Sequence, residues 1–263
     1  MQQLKTRFQN PDKTRHGSIQ SCIRTNDINL VGDGSHLTYF EMVGNFSFGG
    51  DDYPVSVELW DSIVKDLKLN ISYVTYHPNR IDHRQLWERL GYNLKPDSEC
   101  VWSDGNIGGN CCELFIGDLE IGNLVNPLGH STDVGFGFER LLQVLEGKSR
   151  VDQTALFRQD VHPVVADHYR TLKSFKQNGL KSGFRGREHI CRKILRRILD
   201  FPEDVSKLED FSDWLTYEQN LLNQRFENAR RFWKRNRFKD DQYWIITYGL
   251  TPAEVTKLRD QMK

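Results

Sequence analysis

The stretch His36-Leu37-Thr38-Tyr39-Phe40-Glu41-Met42-Val43-Gly44-Asn45-Phe46-Ser47-Phe48-Gly49 is rich in aromatic and β-branched residues. This composition predicts a strand over residues 37–48 that ends at a glycine pair. A shorter strand is predicted over residues 18–24, and the glycine- and aspartate-containing residues between the two are typical of a loop. The two strands then form an antiparallel hairpin with an unusually long connection, and long ordered connections are often functional.

The remaining chain divides into a part with mixed elements and a helical part. Apolar spacing predicts helices over residues 55–67, 84–91 and 139–146, and strands over 71–76, 113–116, 119–125 and 132–137. Further helices are predicted over 164–178, 188–199, 208–222 and 224–237. We therefore expect an α+β protein, with a mostly antiparallel sheet flanked by helices over residues 1–152 and a helical domain over residues 153–263.

The composition, with 38% hydrophobic and 27% charged residues in a chain of 263, is that of a folded globular protein. The formal net charge is zero, but residues 1–150 are acidic and residues 151–240 are basic. This asymmetry suggests a chemical site joined to a surface that faces a polyanion. No apolar run is long enough to span a membrane, so no membrane partner is expected.

The five cysteines are odd in number and lack the spacing of a disulfide framework, which favours a reducing, cytoplasmic location. The adjacent pair Cys111-Cys112 has no second Cys/His pair at metal-ligand spacing. Buried free thiols and no metal site are therefore expected.

Three separated blocks carry residues suited to activating a carboxylate with ATP. The block Cys22-Ile23-Arg24 places a guanidinium, which can bind phosphate oxygens in bidentate fashion, at a strand end before the quoted stretch. The block from Asp133 to Arg140 places Gly135 and Gly137 directly before a helix, where a bare backbone allows close approach. The chain has no Ser/His/Asp pattern, zinc-protease pattern or P-loop that would indicate another chemistry.

Together these blocks resemble the catalytic core of the alanyl-tRNA synthetases, which are class II aminoacyl-tRNA synthetases. Residues 22–49 resemble motif 2, and Thr132–Leu141 resembles motif 3, whose family form is close to DTGMGLERL. The resemblance runs from about residue 10 to residue 258. It implies a class II synthetase-like sheet that uses ATP and Mg²⁺ to activate a small amino acid, alanine above all, and transfers it to tRNA or another acceptor.

The resemblance also implies roles for individual residues. Arg24 and Arg140 would be catalytic. The ATP-binding residues would be Arg24, His36, Phe40, Glu41 and Arg140. The amino-acid-binding residues would be Trp102, Asn123 and Asp133, with Asp133 on the substrate ammonium. Simpler interpretations remain open, because His36 can be a satisfied histidine at a strand end and Trp102 a core residue.

The basic helical part resembles the family's tRNA-acceptor domain. The residues implied to contact RNA are Arg187, Arg192, Lys193, Arg196 and Arg197, and a second cationic run spans residues 225–239. Basic helices with interleaved aromatics suit an RNA backbone. The alternative interpretation is a solvated helix face over a packed apolar stripe.

The sequence also departs from the family pattern. A lysine of the motif 2 loop is missing, motif 1 is reduced, and no editing or C-terminal domain is expected. Gly183-Phe184 and Ile246 replace residues of the family's base-pair-reading part. Two hypotheses follow. The first is a minimal adenylating enzyme, for which a partner protein would supply missing domains. The second is a degenerate paralogue that binds RNA or a partner without chemistry.

Overall fold

The computed structural model of the chain describes residues 4–50 and 52–262. It consists of two compact units, which we call the sheet unit, ending at Arg158, and the helical unit, beginning at Gln159. The sequence placed this division between residues 152 and 153.

The sheet unit contains eight strands and four α-helices within its described residues. They are α1 (Lys5–Gln9), β1 (Arg15–Ile23), β2 (Tyr39–Ser47), α2 (Tyr53–Asp66), β3 (Tyr73–Tyr76), α3 (Ile81–Arg89), β4 (Leu94–Pro96), β5 (Val101–Ser103), β6 (Gly108–Ile116), β7 (Leu119–Pro127), β8 (Thr132–Gly137) and α4 (Phe138–Leu145). The strand order is β1-β2-β8-β7-β6-β3-β4, with β5 paired to β6. Pairing is antiparallel except between β3 and β4. The expected hairpin is present, because β1 pairs with β2 from Ile23↔Tyr39 onward.

One face of this sheet packs on the main core. Trp60 of α2 stacks on Phe136 of β8 with ring centroids 3.9 Å apart, and Trp87 of α3 is fully buried in the same cluster. On β2, Val43 packs against this core. Because side chains alternate along a strand, Phe40 and Met42 lie on the opposite face of the sheet.

The close packing around Gly44 of β2 allows the register of β2 against β8 to be tested. It lies opposite Gly135 of β8, and a Cβ at Gly44 would overlap the carbonyl oxygen of Val134. Gly17, opposite Asn45 on the outer neighbouring strand β1, is a matched control because a Cβ there would be 4.0 Å from the nearest heavy atom. We expect Gly44→Ala to lower the free energy of unfolding in urea by about 1–3 kcal/mol or more, and Gly17→Ala to change it by less than about 0.5 kcal/mol. Equal losses of stability in the two variants would contradict the pairing of Gly44 with Gly135.

The helical unit is built from six α-helices within its described residues: α5 (Pro163–Gln177), α6 (Gly186–Leu199), α7 (Pro202–Val205), α8 (Ser212–Asn236), α9 (Asp241–Tyr248) and α10 (Pro252–Gln261). The helices predicted over 208–222 and 224–237 are one helix, α8, because no glycine or proline interrupts them. Among the described helices, none combines the length and hydrophobicity needed to cross a lipid bilayer.

Helices α9 and α10 were not among the predicted helices, although both carry end signals. The side chain of Asp240 caps α9, and Gly249 ends it in the left-handed conformation. Thr251 and Glu254 form a capping box at the start of α10. The apolar residues of α9 do not follow a helical period clearly enough to be recognised, because Trp244 packs inward while Ile246 is exposed.

Candidate functional site

A cavity of ≈ 430 Å³ opens on the sheet face that carries Phe40 and Met42. Seven residues that the sequence assigns to ATP or amino-acid binding line it: Arg24, His36, Phe40, Trp102, Asn123, Asp133 and Arg140. They come from strands β2, β5, β7 and β8, from helix α4, and from the loop that joins β1 to β2. The fold therefore brings together residues that are more than a hundred positions apart.

The floor of the cavity includes bare backbone. Gly135 and Gly137 of β8 line it, and Asn123 lies opposite Gly135 on β7. A Cβ at Gly135 would be 2.6 Å from Cε of Met42 and 3.9 Å from Oδ1 of Asn123. Glycine keeps this strip open, so a ligand can approach the backbone between these two side chains.

Each of the two arginines in the cavity has a carboxylate partner. Nη2 of Arg24 lies 2.7 Å from Oδ2 of Asp27, and the Arg24 side chain is 63% exposed. Nη1 of Arg140 donates to the backbone oxygen of Glu120 at 2.7 Å and lies 3.2 Å from Oε2 of the same residue. A bound phosphate must therefore compete with Asp27 and Glu120 for these guanidinium groups.

The long connection between β1 and β2 is an ordered loop. Its ends meet where the N–H of Arg24 donates to the oxygen of Thr38 at 2.9 Å. Within it, Nδ1 of His36 lies 2.6 Å from Oδ2 of Asp33. Burial opposes ionisation of Asp33, but hydrogen bonds from the backbone N–H groups of Ser35 and His36 outweigh it and lower the pKa of this carboxyl. His36 is thus held by an ionised aspartate.

Arg150 fixes the same loop from outside the three blocks. Its guanidinium donates to the backbone oxygens of Asp33 at 3.0 Å and Gly32 at 2.8 Å. The next residue, Val151, donates its N–H to the oxygen of Gly34 at 2.9 Å. Sequence reasoning missed this role, because a contact across 117 positions leaves no local signal.

Glu41 corrects the sequence prediction, because its side chain lies outside the cavity lining. Phe40 lines the cavity, so the next residue of the strand points to the other face, where Tyr39 donates its hydroxyl to Oε1 of Glu41 at 3.2 Å. The Glu41 N–H donates to both carboxylate oxygens of Glu139, each at 3.1 Å. Glu139 is buried and lines the cavity. Strand alternation was the signal that could have excluded Glu41.

Asp133 is a largely enclosed carboxyl group in the cavity lining. Burial raises the pKa of Asp133 from 3.8 to about 7. A buried carboxylate is stabilised by a nearby cation. The cavity thus offers a carboxyl group whose ionised form would gain from a bound ammonium.

The cations predicted to bind RNA divide into inward and outward groups. Arg192 of α6 is 3% exposed, and its Nε and Nη2 each donate to the fully buried carboxylate of Glu218 at 2.9 Å. Arg196 shares this carboxylate at 2.7 Å, and Arg197 donates to Nε2 of His168 at 3.0 Å. Arg192 is therefore unavailable to a phosphate backbone, which corrects the prediction for this residue.

The burial of Arg192 follows from the packing of α6. It contacts both α5 and α8, so most of its side chains between Cys191 and Ile198 are buried or half-buried. Arg187, in the first turn, and Lys193 are exposed. On α8, exposed cations follow the C-terminal half: Arg230, Arg231, Lys234 and Arg235. These outward groups are the ones that can meet a polyanion.

Comparisons with known proteins point to one family. Residues 1–100 match the family model of the class II (A) tRNA synthetases. The alanine–tRNA ligase of Desulfitobacterium hafniense (strain Y51) is 31% identical, over 73% of this chain and 29% of the relative. That of Campylobacter jejuni subsp. jejuni serotype O:23/36 (strain 81-176) is also 31% identical, over 72% of this chain and 30% of the relative.

This chain therefore spans less than a third of the length of these relatives. Among solved structures, the pyrrolysyl-tRNA synthetase of Desulfitobacterium hafniense is similar at 16% identity, over 58% of this chain and 49% of the other, with a TM-score of 0.35.

Proposed function

Because this chain belongs to the class II aminoacyl-tRNA synthetase family, with alanine–tRNA ligases among its relatives, we propose that its sheet unit activates a small amino acid with ATP. The observation that carries the proposal is the convergence of Arg24, Asp133 and Arg140 on one cavity. Two cations for phosphates and one acid for an ammonium are the groups that amino-acid adenylation requires. We take alanine as the first substrate because the relatives are alanine–tRNA ligases, and the cytoplasm as the place of action.

In the proposed reaction, a carboxylate oxygen of the amino acid attacks the α-phosphorus of ATP. A new O–P bond forms, and the bond to pyrophosphate breaks. Arg24 and Arg140 stabilise the negative charge that develops on the phosphate oxygens. Phe40 offers a flat apolar surface for the adenine. Since no proton transfer is needed, the site works by positioning and electrostatics.

Mg²⁺ is expected to accompany ATP and to neutralise phosphate charge. The cavity fits such an ion, because the carboxylates of Glu120 and Glu139 line it and Mg²⁺ prefers oxygen ligands. These residues, with Asp27, would hold the arginines and the hydrated ion in place around the phosphates.

The amino-acid end of the cavity would be formed by Trp102, Asn123 and Asp133, with Asp133 pairing with the ammonium. A small pocket favours alanine, glycine and serine. One methylene group discriminates by only about 1–3 kcal/mol. We therefore expect measurable activation of all three amino acids rather than strict selectivity for alanine.

Asp133 gives this proposal a test by pH. Its pKa is about 7 in the folded chain, and the ammonium binds the ionised form, so the affinity for alanine should rise by on the order of tenfold between pH 6 and pH 8. Asp133→Asn should weaken alanine binding and remove this pH dependence, while ATP binding changes less. Isothermal titration with alanine in the presence of a non-hydrolysable ATP analogue measures both.

Stability supplies an independent readout for the same group. The pKa of Asp133 is raised above its ordinary value of 3.8, so the folded chain loses stability as pH rises from about 4 through 7. Asp133→Asn should therefore unfold at a higher temperature than the native chain at pH 8 and at a similar temperature at pH 4. Asp118→Asn, in an exposed turn, is the control. Unchanged alanine affinity in Asp133→Asn would contradict the assignment.

For the acceptor, we propose an RNA, in the first place a tRNA, bound through the outward cations of α6 and α8. Each neutralised phosphate releases counterions, so binding should weaken steeply with salt. We expect filter binding to give similar affinities for several different tRNAs. Reversing charge in Lys234→Glu/Arg235→Glu should weaken it, whereas Lys68→Glu in the sheet unit should not. No binding at low salt would remove RNA from the proposal and leave adenylation standing.

A second candidate function is that of a paralogue that binds RNA or a partner protein without chemistry. The observation that favours it is the pairing of both cavity arginines with carboxylates, Arg24 with Asp27 and Arg140 with Glu120. The missing motif 2 lysine points the same way. In that case the chain would bind tRNA but exchange no pyrophosphate with any small amino acid.

A further inference from the structure

Two thiols and a carboxylate meet beside the cavity. The Sγ atoms of Cys100 and Cys111 and a carboxylate oxygen of Glu113 all lie within 4.8 Å of one another. Both cysteines are buried and free, and Glu113 is half-buried. All three are donors of the kind that zinc takes.

The three residues meet because of strand pairing rather than sequence spacing. The N–H of Cys111 donates to the oxygen of Cys100 at 2.9 Å, which makes the two residues cross-strand neighbours where β5 begins. Glu113 is two positions further along β6, on the same face of the sheet. The expectation of no metal site rested on the missing Cys/His pair near Cys111-Cys112. Cys100, eleven positions earlier, supplies the partner.

We propose that Cys100, Cys111 and Glu113 bind one divalent ion of the zinc type. On binding, each thiol releases its proton to solvent and two sulfur–metal bonds form without redox change. Tetrahedral geometry needs the sulfurs about 3.8 Å apart, which small side-chain rotations can reach. The three ligands leave the fourth position to water or a ligand, as in open zinc sites.

The surroundings fit a bound cation. Oγ1 of Thr75 lies 3.1 Å from Sγ of Cys100, where its hydroxyl can donate to a metal-bound thiolate, as outer partners of metal ligands commonly do. The exposed edge of Glu113 gives the ion an entry path.

The ion would also support the cavity wall. Cys100 and Cys111 pack with Val125 and Trp102, and both of these residues line the cavity. Glu113 is paired across the sheet with Asn123, which lines it too. A metal that locks the two cysteines together would therefore fix Trp102. This inference does not depend on adenylation, since the ion can be measured without substrates.

The test is the metal content of the full chain after equilibration with Zn²⁺ and removal of excess ion. We expect about one zinc per chain by mass spectrometry. Co²⁺ in its place should give thiolate-to-cobalt charge-transfer absorption. Cys100→Ser and Cys111→Ser should each lower the affinity for zinc by more than about 100-fold, and Glu113→Gln should lower it as well. Cys191→Ser, which removes a buried thiol of the helical unit, is the matched control and should keep the zinc.

Three outcomes would overturn the proposal. The first is a native chain that retains no metal and shows no cobalt–thiolate band. The second is full retention of zinc in the double variant Cys100→Ser/Cys111→Ser, which circular dichroism must show to be folded. The third is a chain isolated without reductant that shows three titratable thiols instead of five after unfolding, with a Cys100–Cys111 disulfide identified by peptide mapping.

Discussion

Arg24→Ala should reduce amino-acid-dependent ATP–pyrophosphate exchange by about 10²–10³-fold, which is the usual effect of removing one donor that stabilises transition-state charge. Arg140→Ala should have an effect of the same order. Both side chains line the cavity, so their loss should act on the rate of exchange more than on folding. Exchange of labelled pyrophosphate into ATP, with alanine present at saturation, measures the change.

The control for Arg24 is Arg84→Ala. Arg84 is also a half-exposed arginine with one carboxylate partner, Glu88, at 3.4 Å, but it lies on α3 and not in the cavity. We expect its exchange activity to stay within about twofold of the native chain, since exposed ion pairs contribute little. If Arg24→Ala exchanges as fast as Arg84→Ala, Arg24 has no catalytic role.

Glu218→Ala should lower the free energy of unfolding of the helical unit by about 3–5 kcal/mol, because it leaves two partly or fully buried guanidinium groups without their partner. Glu218 is fully buried and accepts hydrogen bonds from Arg192 and Arg196. Glu227→Ala is the matched control on the same helix. Its partner Arg230 is 3.2 Å away, both side chains are about half exposed, and the expected loss is below about 1 kcal/mol.

The pH dependence of this pair has a defined sign. Burial tends to raise the pKa of Glu218, but the hydrogen bonds from Arg192 and Arg196 prevail and lower it below 4.5. A lowered pKa adds stability that is present above the ordinary value and is lost as pH falls through the folded one. The stability gap between the native chain and Glu218→Gln, followed by urea unfolding, should therefore shrink below about pH 4. A gap that grows on acidification would contradict the ion pair.

Local patterns predicted much of the sheet unit. The aromatic and β-branched residues of 37–48 predicted β2, and the loop signals before it predicted the long hairpin. Gly135 and Gly137 predicted a stretch of backbone that a ligand can approach, and this stretch is part of the cavity floor. These predictions succeeded because strand propensity and close backbone approach depend on residues that are near one another in the sequence.

The features that could not be predicted from the sequence depend on contacts between distant segments. Arg150 and Glu139 hold the loop and β2 through bonds that span about a hundred positions. The inward turn of Arg192 depends on helices packing on both sides of α6. The Cys100–Cys111–Glu113 cluster depends on the pairing of β5 with β6. Composition predicted a basic surface, but not which cations reach it.

We propose that the cavity of the sheet unit is an adenylation site. ATP–pyrophosphate exchange by the native chain, with and without alanine and in the absence of RNA, tests it most directly. We predict exchange that requires alanine, is matched in part by glycine and serine, and disappears in Arg24→Ala. A folded native chain that shows no exchange above background with any of these amino acids, with or without added tRNA, would contradict it.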